Sequence, residues 1–131
     1  MNTSATLLQL RQLSTDLRGA GDLLAHGSAE LGEDNVEFVV NAAVDLESIM
    51  NELTQRAGAE NPLESRQLRH DLRNKVAIVK GFSDLMQMDA SPSGPWAGIL
   101  ARLMDVSDKF VDLLDTVKDH SGQACGAALF A

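Results

Sequence analysis

Aromatic residues are scarce: the chain has no tyrosine, one tryptophan and four phenylalanines. Strands favour aromatic and β-branched residues, whereas this sequence leans on Leu, Ala, Asp and Met, so helices are the expected elements. A single cysteine, Cys125, excludes an internal disulfide framework and a Cys-based zinc cluster. Long apolar runs are missing too. Phe38 to Val44, with Asn41 inside it, is an uncharged run of about seven residues, against the roughly 20 needed to span a bilayer. Positive charge is in deficit, with 11 Lys and Arg against 19 Asp and Glu and a formal net charge of −8. That balance speaks against nucleic acid or an anionic membrane as a partner, because binding phosphate backbones needs a basic footprint. Arg11, Asp16 and Arg18 among the leucines of the first 20 residues do not read as a signal peptide, so a cytoplasmic location is expected. What is there, 131 residues with 44% hydrophobic and 23% charged, is the composition of one globular domain.

The ten glycines and three prolines fall into a few clusters that act as punctuation. From Thr3 to Ala25, Leu10, Leu13, Leu17, Ala20 and Leu24 recur at the three- and four-residue spacing of a helical seam. Gly27, Gly32 and the polar stretch between Ser28 and Asp34 interrupt it, and Asp34 is a candidate cap for a second helix over 35–57. The second stripe is Val36, Val39, Ala43, Leu46, Met50 and Leu53, and Gly58 ends it. Asn61-Pro62 reads as an N-cap and first helical residue of a third helix reaching Met88. Ser91-Pro92-Ser93-Gly94-Pro95 is a loop. Ile99, Leu103, Val106, Phe110, Leu113 and Val117 then carry a fourth helix to His120. No segment alternates with period two. The expectation is an all-α chain of two helical hairpins, 1–60 and 61–120, with an apolar tail at 121–131. The hairpins form a four-helix bundle, closed within the chain or completed by a second copy; the third and fourth helices are expected to have their apolar stripe completed by a partner.

One stretch carries chemistry: Arg69-His70-Asp71-Leu72-Arg73-Asn74-Lys75, inside the third helix. At 100° per residue with Leu72 at the centre of the buried face, His70 falls about 160° away, toward water. Asn74, Ala77 and Gly81 follow on that same face, so the imidazole stands on a surface whose next turns carry little side chain. Asp71 and Lys75 flank it on one side, Arg69 and Arg73 on the other. Taken alone, an exposed histidine on a helix is surface decoration, and His26 and His120 fit that reading beside helix ends. A metal reading of His70 lacks a second histidine one turn away.

The run His70-Asp71-Leu72-Arg73-Asn74 resembles the H-box of the dimerisation and histidine phosphotransfer domain of two-component sensor kinases. The longer run through Asn74-Lys75, Ile78 and Lys80-Gly81 looks more like the sporulation phosphotransferase B branch, shared with the citrate and fumarate sensor kinases. Most sensor kinases place a proline where Lys75 stands, and its loss removes a helix kink. The resemblance covers residues 62–120 at most.

It implies that His70 is the phosphoacceptor, since neutral imidazole is in general a competent nucleophile near pH 7. Asp71 would accept a hydrogen bond from the other ring nitrogen and stabilise the developing cation. Asn74 would position water or the partner's phosphoryl group. Arg73 and Lys75 would offset phosphate charge or dock a receiver, with a solvated-face reading equally open, and Ala77 and Gly81 would let the partner approach. The implied partners are a response-regulator receiver domain, which brings its own Mg²⁺, a separate kinase or ATP-binding domain, and a second copy in a homodimer. No Gly-rich nucleotide lid, Asp-x-Gly-x-Gly run or P-loop is present, so the chain is expected to bind no cofactor and not to use ATP alone. Two alternatives remain: a non-catalytic dimerisation or scaffold module with a vestigial H-box, and the N-terminal part of a longer histidine kinase.

Overall fold

The computed structural model describes residues 3–56, 63, 65–89 and 94–129. All the described regular structure is helical: α1 (Thr3–Leu24), a 3-10 turn (Ala25–Gly27), α2 (Ser28–Leu31), α3 (Glu33–Arg56), α4 (Arg66–Asp89) and α5 (Ala97–Leu129). The four long helices sit in a ring, α1 against α3, α3 against α4, α4 against α5, and α5 back against α1. Pairings across the seams show that neighbours run antiparallel. Arg18 meets Glu47 while Arg11 meets Asn51; Lys75 meets Asp45 while Phe82 stacks on Phe38. Arg73 meets Asp115 while Lys80 meets Asp108.

The core is one continuous cluster drawn from all four long helices, with Leu10, Leu17, Leu46, Met50, Leu72, Val79, Leu103 and Phe110 fully buried. Two hairpins are therefore present in topology, but they share a single core. The apolar stripe of α4 and α5, expected to be completed by a partner, is completed by α1 and α3 of the same chain. A second copy is not needed to close this bundle. None of the described helices is long and apolar enough to cross a membrane.

The seams follow the spacings closely, with small rotations. Leu10, Leu17, Ala20 and Leu24 are buried in α1, as are Val36, Val39, Ala43, Leu46 and Met50 in α3. In α5 the buried set is Leu100, Leu103, Val106, Phe110 and Leu114, and Ile99 and Leu113 sit at its margin. Two of the buried serines are satisfied locally, Ser14 donating to the Arg11 carbonyl and Ser107 to that of Leu103, both at 2.7 Å, while the Ser83 hydroxyl meets no partner among the described residues.

Helix ends differ more. Gly32, at φ 100°, supplies the left-handed residue that separates α2 from α3, and its carbonyl accepts from the Val36 amide at 3.1 Å. The helix therefore starts ahead of Asp34, which lies in its first turn where the macrodipole favours a carboxylate. Asn61-Pro62 lies outside the described residues, as does most of the Ser91–Pro95 loop. The cap of α4 is Ser65, whose hydroxyl accepts from the Leu68 amide at 3.1 Å. At its other end α5 does not stop at His120. Its helix continues through Cys125 to Leu129, a stretch without proline in which Ala124, Ala127, Ala128 and Leu129 favour helix although Gly122 and Gly126 do not. His120 is thus inside a helix rather than beside its end.

Candidate functional site

Position 70 is the fifth residue of α4, one turn beyond the Ser65 cap, at the end of the bundle opposite the α1–α3 connection. Leu72, Val76 and Val79 are buried and set the rotation of the helix. As a consequence His70, Asn74, Ala77 and Gly81 are all exposed, in one strip along the outer face. A Cβ added at Gly81 would meet nothing within 4 Å, so the strip is open above it. The proline-free helix runs unbroken through Lys75.

The flanking residues are arranged less simply. Asp71 is exposed and accepts a hydrogen bond from Gln67 Nε2 at 3.0 Å, one turn back on the same side of the helix. No hydrogen bond joins it to His70 among the described residues, because adjacent helical positions diverge by about 100°. The orienting role implied for Asp71 requires a carboxylate oxygen to turn toward the ring. Arg69, placed by its angle on the flank, is only 7% exposed, and its guanidinium donates to the Leu63 carbonyl at 2.7 Å. That bond ties the chain ahead of α4 to its second turn, so Arg69 is structural.

Arg73 and Lys75 depart in opposite directions. Arg73 forms an ion pair with Asp115 on α5, and Lys75 one with Asp45 on α3 at 3.0 Å. Both are only partly exposed and already hold a carboxylate, which offsets part of the charge they could offer to phosphate. The structure brings Arg73 and Ala77 together in an open groove between α4 and α5, about 460 Å³ in volume. Val76, Lys80, Asp108, Val111 and Asp112 complete its lining. Lys75 is not part of it. Lys80 donates to Asp108 at 2.5 Å, and this hydrogen bond with the carboxylate's charge raises the lysine pKa above its ordinary 10.5.

No family model, curated protein or solved structure matches the chain. The chemistry therefore rests on the residues themselves: one exposed imidazole, an amide one turn on, a carboxylate on its flank, and a surface of small residues leading away.

The α4–α5 groove was missed in the sequence because its α5 half, Asp108, Val111 and Asp112, lies more than 25 residues downstream. The i, i+4 pattern of α5 does carry a signal for it: Asp108, Asp112 and Asp115 fall on one side of the helix, beside the buried Val106 and Phe110.

Proposed function

We propose that this chain is a histidine phosphotransfer protein, exchanging a phosphoryl group between His70 and the aspartate of a response-regulator receiver. The exposure of His70 at the head of the strip His70–Asn74–Ala77–Gly81 carries this reading. Phosphoryl transfer asks mainly for in-line positioning and charge compensation, so a rigid helix presenting one open imidazole is sufficient protein machinery. The receiver supplies Mg²⁺ and the aspartyl site. A kinase or ATP-binding domain on another chain, or on a longer form of this one, would supply phosphoryl groups at the head of the relay.

A second reading is favoured by the pairing of Arg73 with Asp115, Lys75 with Asp45 and Asp71 with Gln67. Side chains committed to neighbours in this way suit a helical scaffold whose H-box is vestigial. Incubation with a phosphorylated receiver separates the two. Phosphotransfer predicts an acid-labile, base-stable label that is lost in His70→Gln; a scaffold takes up no label.

A further inference from the structure

Arg66 lies four residues before His70, and Asn74 four residues after it. On a helix such residues are stacked neighbours, so the three form one line along α4, each turn offset by about 40°. All three are exposed. The pairing of the local cations then singles one out. Arg69 is buried on the Leu63 carbonyl, Arg73 is held by Asp115, and Lys75 is held by Asp45. Arg66 forms no ion pair or hydrogen bond with any described residue.

We infer that Arg66 is the residue that binds the phosphoryl group on His70, holding its oxygens from the turn before while Asn74 stands on the turn after. This rests on the phosphotransfer reading and extends it to a residue outside the H-box run. In the step itself the lone pair of one imidazole nitrogen attacks phosphorus, and the P–O bond to the receiver's aspartate breaks. The bonding pair leaves with the carboxylate, and the other ring nitrogen keeps its proton as the P–N bond forms. The product is a dianionic phosphoryl group on a chain of net charge −8. A guanidinium suits it because its planar fork matches phosphate oxygens. Drawing on Arg66 disturbs none of the described interhelical pairs, whereas the charge of Arg73 is already offset by Asp115.

The experiment uses the full chain phosphorylated in two ways: chemically with phosphoramidate, which labels accessible histidines without a protein partner, and by a phosphorylated receiver. The His70 phosphoryl signal is assigned by its absence in His70→Gln and followed by phosphorus NMR against pH. An adjacent cation disfavours protonation of the phosphohistidine, so Arg66→Gln raises the apparent pKa that the phosphorus signal follows by about 0.3–0.7, and Arg66→Lys restores part of the difference. Transfer from the receiver falls about two- to five-fold in Arg66→Gln, the scale of an exposed charge pair, and the difference shrinks at high salt. An unchanged titration in Arg66→Gln, with transfer intact, overturns the role of Arg66 and leaves phosphotransfer standing. A shifted titration on phosphoramidate-labelled protein with no transfer from any receiver supports the Arg66 contact and overturns the phosphotransfer reading. No His70 signal from either donor overturns both.

Discussion

Trp96 lies across Gly27 so closely that a Cβ at position 27 would stand 2.6 Å from Cε2 of the indole. The contact joins the turn after α1 to the start of α5, two points far apart in sequence but at one end of the bundle. It works because position 27 has no side chain. Gly27→Ala forces the indole or the turn to move, and overpacking of this kind costs about 1–3 kcal/mol. The midpoint of chemical unfolding, followed by fluorescence of the single tryptophan, should fall accordingly. An unchanged midpoint and spectrum would show that the indole does not sit there.

The shared core predicts how the chain behaves on dilution and on dissection. Because α1 and α3 cover the stripe of α4 and α5, the thermal midpoint of the full chain should not vary over a hundredfold range of concentration. A midpoint that climbs with concentration would mean that a second copy completes the fold. The excised 61–120 segment exposes Leu72, Val76, Val79, Leu103 and Phe110, all buried in the whole chain. It should lose cooperative unfolding as a monomer.

Roles around the imidazole separate by substitution. His70→Gln should abolish labelling and leave the helical circular dichroism unchanged, because the side chain is exposed and has no described partner. Asp71→Asn should slow transfer by about 10²-fold, the lower end for an orienting or proton-handling group, since the carboxylate bonds Gln67 and not the ring in this structure. Asn74→Ala should spare acceptance and reduce dephosphorylation of the receiver. If Asn74→Ala loses acceptance as severely as Asp71→Asn, the two residues do not divide the work in this way.

The Lys80–Asp108 pair sets an alkaline signature. Its hydrogen bond and charge raise the lysine pKa above 10.5, so the pair contributes fully below that value and is lost as pH rises through the higher folded-state pKa. Thermal midpoints of wild type and Asp108→Asn should therefore differ at pH 7 to 9 and converge above pH 10.5. Both side chains are about half exposed, so the difference is small and shrinks with added salt.

Helix identity and the outward face of α4 were legible in the amino-acid sequence by itself, because both depend on neighbours three and four residues away. Leu72, Val76 and Val79 define a buried stripe, and His70, Asn74, Ala77 and Gly81 necessarily fall opposite it. Tertiary structure alone decided how the bundle closes, since equivalent stripes on four helices are satisfied equally by one chain or by two. It also decided the state of the charges. Arg73 meets Asp115 across 42 residues and Lys75 meets Asp45 across 30, pairings that no local spacing encodes. Arg69 looked like a flanking surface cation until the chain ahead of α4 folded back and brought the Leu63 carbonyl to it. Periodicity reads which side of a helix a residue occupies; which side chain waits across the seam depends on how the other helices pack.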